Sequence, residues 1–206
     1  MGHGGCGKTT LVEAIAYQTG ITARMGKVTD GNTISDYDKE EQKRQFSIST
    51  SVVPVEFEDI KINFLDTPGY FDFVGEVEEA CHAAGAAVIV INGKSGVEVG
   101  TLKAWELCEK YKLPRLFFVT GMDDDQASYR KIVLELNDRF GRKVAPFHVP
   151  IRENEKFVGF VNVVKMKGRR FINDTSEYEE CDIPDYMDKH LNISRDALVE
   201  AVADTS

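Results

Sequence analysis

The chain is short of several things, and each shortage excludes something. It has four cysteines in 206 residues, Cys6, Cys81, Cys108 and Cys181, far apart and with no C-x-x-C pair. That argues against a disulfide scaffold or a zinc site and for a reduced, cytosolic protein. Basic residues are outnumbered, 25 Lys and Arg against 34 Asp and Glu, for a net charge of −9. A chain of that sign does not adhere broadly to nucleic acid or to anionic membranes. No apolar run approaches the length of a membrane span, and no signal peptide is visible. Repeats and low-complexity tracts are also missing. What remains, 42% hydrophobic and 29% charged, is an ordinary globular composition with enough apolar residues for one core and an appended subdomain.

The most informative stretch stands at the start. Gly2-His3-Gly4-Gly5-Cys6-Gly7-Lys8-Thr9 fits the pattern G-x-x-x-x-G-K-S/T without a gap, and the residues from Thr9 to Tyr17 read as a helix behind it. Gly4, Gly5 and Gly7 allow the backbone to approach an anion and turn its N–H groups inward. The helix N-terminus adds unsatisfied donors and the positive end of a dipole. Lys8 is then the cation for the outer phosphates, and the Thr9 hydroxyl a ligand for Mg²⁺. His3, Cys6 and Thr10 complete the expected nucleotide-binding run, His3 as a shaper of the turn rather than a proton carrier.

Residues 24–46 are polar, with Gly26, Asp30, Gly31, Asn32 and Asp36 followed by a charged cluster, Asp38 to Arg44. Such a long loop in a compact domain is functional or disordered. Two alternating strands follow, Val53-Val55-Phe57 and Ile60-Ile62-Phe64, with Glu58-Asp59 as the turn of a hairpin. The second strand runs into Asp66-Thr67-Pro68-Gly69. Asp66 is thereby expected at a strand's C-terminal end, where open α/β sheets bind ligands, to hold a metal-bound water, and the Gly69 N–H is expected to meet a terminal phosphate.

Helices are expected over about 72–84, 99–111 and 126–140, alternating with apolar strands at 86–91 and 116–119. Strands alternating with helices predict an α/β fold with a doubly wound, mostly parallel sheet. After Gly141 the pattern changes to a second hairpin, Phe147-Val149-Ile151 and Phe157 to Val161 across Glu153-Asn154-Glu155, with Pro146 and Pro150 marking an edge strand. Residues 168–192 read as irregular, and a short last helix is expected to start at an N-cap Ser194, with Ile193 and Leu198 as a staple. His82 and His148 have no evident ligand partner and read as surface or packed histidines; Trp105 reads as core.

Taken together these residues resemble the GTPase domain of elongation factor G and its relatives among translational GTPases. The likeness rests on the Gly2–Thr9 loop, on Asp66-Thr67-Pro68-Gly69 with Phe71-Asp72-Phe73, and on Ala145 to Ile151 with Phe157 to Phe160, which is similar to the insert subdomain of elongation factor G. The resemblance covers nearly the whole chain. It implies a P-loop NTPase fold with a GTPase domain over 1–142 and part of a small α+β insert over 143–206. It also implies GTP and GDP as ligands, Mg²⁺ as cofactor, and hydrolysis on the ribosome during translocation or recycling, in the cytoplasm. The ribosome is the implied partner, through the full-length protein, with no direct nucleic-acid affinity from this acidic stretch, no membrane and no oligomer. The polar loop becomes the first switch region. Arg44-Gln45-Phe46-Ser47-Ile48 aligns with the family's Arg-Gly-Ile-Thr-Ile, so Ser47 joins Thr9 and Asp66 as an implied metal ligand.

Three departures qualify the resemblance. Tyr70 stands where the family has the His that orients the attacking water. A phenol is a poor proton acceptor at neutral pH, yet positioning carries most of this chemistry, so Lys8, Gly69 and Tyr70 remain the catalytic candidates. Thr120-Gly121-Met122-Asp123 replaces Asn-Lys-x-Asp. Asp123 keeps the carboxylate that pairs with guanine N1–H and the 2-amino group. Gly121 cannot cover the base, and Thr120 offers fewer loop-tying bonds than Asn, so guanine preference with reduced affinity is expected. Finally, Met1 precedes the loop directly, and no Ser-Ala guanine motif follows the insert, so the chain reads as a fragment of the family pattern with marginal stability. A nucleotide-binding ribosome-docking module without turnover and an antibiotic-removing ribosome-protection factor share these motifs. A small-molecule kinase would need an acceptor pocket and an Arg-rich lid, neither of which is visible.

Overall fold

A computed structural model describes residues 1–154, 156–172 and 177–203. The chain divides into two compact units, Met1–Thr120 and Gly121–Ser206.

The first unit opens with Met1-Gly2 running parallel beside a strand it pairs with. Val90 N donates to Met1 O at 2.9 Å and Gly2 bridges Val90. Helix α1 (Lys8–Gln18) follows at once. The polar segment after it is mostly turns, with one short helix, α2 (Lys39–Arg44), started by a full capping box of Asp38 and Glu41. The expected hairpin is present as β1 (Ser51–Phe57) and β2 (Ile60–Asp66). Glu58 and Asp59 both take positive φ, +48° and +64°, as a two-residue turn matched to strand twist requires. Only part of the β2 alternation is buried: Ile60, Ile62 and Phe64 share one face, but Ile60 and Ile62 stay exposed and Phe64 alone packs onto the core. Helix α3 (Val74–Ala83), strand β3 (Ala87–Asn92), helix α4 (Val99–Tyr111) and strand β4 (Arg115–Thr120) complete the unit. β3 and β4 pair in parallel, as the alternation of strands and helices requires.

Two apolar clusters hold these elements. α3 and α4 press Cys81, Ala104 and Cys108 onto Ala87 and Ile89 of β3. α1 lays Val12 and Ala16 on Val53 and Val55 of β1. Trp105 is half-buried and packs against the first cluster at its margin, its ring stacked on Phe117 under the Arg115 guanidinium. The consequence for the site is that α1, β2 and β3 all end or begin at one edge, around the glycine loop.

The second unit holds α5 (Tyr129–Phe140), capped by Ser128, and a four-stranded antiparallel sheet, β5 (His148–Glu153), β6 (Lys156–Asn162), β7 (Lys167–Phe171) and β8 (Tyr178–Cys181). Helix α6 (Asp188–Ala203) closes it, burying Leu191 against Ile151, Val161 and Val163. β5 is an edge strand, as Pro150 within it requires.

Two expectations fail here. Residues 168–192 are not irregular, because β7, β8 and the first turn of α6 lie among them. The strands escape notice because their outward residues are charged and pair across the ladder, Lys167 with Glu180, leaving little apolar alternation. The last helix also starts earlier than Ser194. Met187, in the 3-10 turn just before it, and Leu191 in its first turn are already buried, Ile193 is exposed, and Ser194 is mid-helix. Glu155 of the expected turn and Ser206 lie outside the described residues.

Candidate nucleotide site

The glycine loop is shaped by backbone that other residues cannot adopt. Gly7, at φ +91°, is the residue from which α1 starts. A β-carbon there would meet Thr120 at 3.3 Å. Gly5 also has positive φ and is exposed, Gly4 is half-buried, and Thr10 faces solvent. Lys8 is buried, and its Nζ donates to His3 O at 2.8 Å, so the ammonium lies inside the loop it follows. Cys6 is buried beside it, and burial pushes its thiol pKa up despite the nearby Lys8 charge. His3 turns away: Nδ1 accepts from Gly100 N and Nε2 lies 3.5 Å from Glu98.

Below the loop five side chains from three segments converge. Thr9 Oγ1 donates to Asp66 Oδ2 at 2.8 Å and lies 3.3 Å from Ser47 Oγ. Ser47 Oγ donates to Asp36 Oδ1 at 2.7 Å. Ser35 Oγ donates to Asp66 Oδ2, also at 2.7 Å. Both carboxylates are buried, and Asp66 Oδ1 and Asp36 Oδ2 have no hydrogen-bond partner among the described residues. Desolvation raises the Asp36 pKa, opposed by the Ser47 hydroxyl and reinforced by Asp66. Buried carboxylate oxygens without partners are costly unless a cation or water meets them. Hydroxyl and carboxylate donors suit a hard ion such as Mg²⁺, which takes few protein ligands and completes its shell with water and phosphate oxygens. Thr9, Ser47 and Asp66 were expected here. Asp36 and Ser35 were not, since a polar residue in a polar loop carries no signal of burial.

The segment carrying Asp36 and Ser47 is held by three carboxylates that accept from backbone N–H groups. Glu13 on α1, fully buried, accepts from Gly26 N at 2.7 Å and from Ile34 N. Glu41 accepts from Ile48 N at 2.8 Å and Ser49 N at 3.1 Å. Glu76 on α3 accepts from Thr50 N at 2.6 Å, while Thr50 Oγ1 donates to Glu76 O. These acceptors lie far in sequence from most of their donors, so composition alone does not reveal them.

Gly69 closes the other side. A β-carbon on it would come within 2.5 Å of Lys8 Nζ and 2.8 Å of Gly4 Cα, so the Asp66–Gly69 turn lies directly on the loop. Tyr70 then crosses Gly4, with ring atoms 3.6–3.7 Å from where a Gly4 β-carbon would be, and packs against Phe46 at 4.7 Å between centroids. It is half exposed.

Thr120 ties the loop more firmly than its size suggests. Its hydroxyl donates to Cys6 O at 2.7 Å, with Ile91 O at 3.3 Å as a second acceptor. Asp123 belongs to the second unit and is exposed there.

The family model described as the elongation factor Tu GTP binding domain matches residues 1–204. Among solved structures, a protein from Thermus thermophilus is similar at 36% sequence identity and a TM-score of 0.93. That match covers all of this chain and 30% of the Thermus chain, so this chain spans under a third of its relative's length.

Proposed function

This chain belongs to the family of elongation factor Tu GTP-binding domains, a P-loop NTPase fold, and from that premise we propose that its parent binds GTP with Mg²⁺ in the Gly2–Thr9 cradle and hydrolyses it on the ribosome in translocation or recycling. The observation that carries this reading is the oxygen cluster of buried Thr9, Asp66 and Asp36 with half-buried Ser47, and its two carboxylate oxygens without a partner among the described residues. When bound, Mg²⁺ neutralises charge on the phosphate oxygens. In the proposal Thr9 and Ser47 hold the ion directly, and Asp66 and Asp36 hold its water. Lys8, enclosed by the loop, stabilises the outer phosphates through its ammonium, and the backbone N–H groups of Gly4 to Thr10 hold the rest. Gly69 N–H meets the terminal phosphate. Tyr70, lying across Gly4, orients the attacking water through its hydroxyl. Positioning and charge stabilisation suffice for phosphoryl transfer, so a base of neutral pKa is not required.

Thr120 and Asp123 are the proposed base-side residues, Thr120 by tying the loop and Asp123 by accepting from guanine N1–H and the 2-amino group. Ribosome and cytoplasm belong to the same proposal. No helix among the described residues is long and apolar enough to cross a membrane.

A second reading, nucleotide binding with little turnover, is favoured by one feature, the phenol of Tyr70 in place of an imidazole. Titration calorimetry with GTP, GDP and ATP in Mg²⁺ buffer tests the binding claim. Guanine nucleotides are expected to bind and ATP to bind much more weakly; equal ATP affinity sinks it. Multiple-turnover phosphate release by the full-length parent with ribosomes separates the two readings.

A further inference from the structure

The second unit contains an anchor for the loop that carries Asp123. We infer that Arg152, on strand β5, positions the Asp123 carboxylate for guanine and so helps set base specificity; this rests on the base-side reading above. Arg152 Nη2 donates to Met122 O at 2.8 Å, thirty residues away in sequence and partly buried. Met122 O and Asp123 N–H share one peptide plane. Fixing that oxygen therefore fixes the plane from which the Asp123 side chain departs.

The rest of the loop is arranged to leave Asp123 available. Asp124 N donates to Gly121 O at 3.2 Å and Ala127 N to Asp124 O at 3.0 Å, closing two tight turns. The Asp124 carboxylate is used within them, accepting from Gln126 N at 2.8 Å. Asp123 is exposed, while Met122 beside it is buried. Gly121, at φ +62°, brings no side chain to restrain the loop. The restraint comes from Arg152 instead.

Arg152 is itself held in place. The β5–β6 register shifts between Ile151 and Arg152. An irregularity of that kind bends a strand and redirects a side chain. Tyr186 OH donates to Arg152 O at 3.0 Å and fixes the backbone at that point. The guanidinium is a planar, permanently charged donor, suited to holding a carbonyl at one angle.

The test uses the full-length parent and the ratio of GDP to IDP affinity, since hypoxanthine lacks the 2-amino group that the carboxylate reads. Arg152→Gln, too short to reach the carbonyl, is expected to weaken GDP about tenfold and IDP much less, shrinking the ratio. Arg152→Lys keeps a donor but loses the planar fork, and it serves if the Gln variant fails to fold: a partial fall in the ratio with melting unchanged is expected, and a ratio equal to the parent's contradicts the positioning role. Asp123→Asn separates the two layers of the inference. If it abolishes GDP preference and admits XDP while Arg152→Gln leaves the ratio intact, Arg152 has no positioning role. If Asp123→Asn itself changes nothing, the base-side reading falls and the Arg152 inference with it.

Discussion

Tyr70 is the residue on which turnover depends in this reading. Its ring rests on Gly4 and Phe46, so removing the hydroxyl leaves that packing in place. Tyr70→Phe is therefore expected to leave GDP affinity unchanged and to lower ribosome-stimulated phosphate release by about 10²-fold, the scale of a misplaced nucleophile. Equal turnover in the two proteins would mean that the phenol does not touch the water. Much of this scale was legible in the residues themselves. Lys8, Thr9 and Asp66 sit at spacings that admit few other uses. Asp36 was not legible, because nothing in Ile34-Ser35-Asp36-Tyr37 marks one residue of the four for burial beside Ser47. Thr120 was half legible: its position signalled a role, but the strength of its tie to Cys6 O depends on how close β4 brings it.

Among elements, the segment between α1 and β1 has little secondary structure and is shaped by its own Glu41 and by side chains of its neighbours, Glu13 on α1 and Glu76 on α3. Glu76 is the most direct of these links, because it joins α3 to Thr50 through both its carboxylate and its carbonyl. Glu76→Ala leaves the part-buried Thr50 N–H without an acceptor, at a cost of about 1–3 kcal/mol. Hydrogen exchange should show faster exchange at Ser49 to Ser51, with α4 and β3 unaffected. Glu76→Gln, which keeps an acceptor, should lose less. Helices α4 and α5 were readable from their 3.6-residue spacing, and the β1–β2 hairpin from its alternation. β7 and β8 were not, since a short ladder whose outer face is charged looks like loop when its partner strand is unseen.

For the molecule as a whole, the proposal makes nucleotide and Mg²⁺ part of the stability. A ligand bound only by the folded state and present at about a hundred times its Kd stabilises by about 2.7 kcal/mol. GDP with Mg²⁺ should raise the melting temperature of the full-length parent, and EDTA should remove most of that rise by leaving the Asp36 and Asp66 carboxylates buried without a cation. A melting curve indifferent to EDTA would count against the metal.

The residue order by itself determined the fold class, the glycine cradle and the Asp66 turn, because each is a local pattern: a spacing, a breaker, a periodicity. Tertiary structure alone decided which polar side chains are buried together, that Glu13, Glu41 and Glu76 hold the segment between them, and that Arg152 reaches Met122. Those facts depend on which distant stretches meet, and burial or hydrogen-bond pairing between distant residues leaves no periodic trace along the chain.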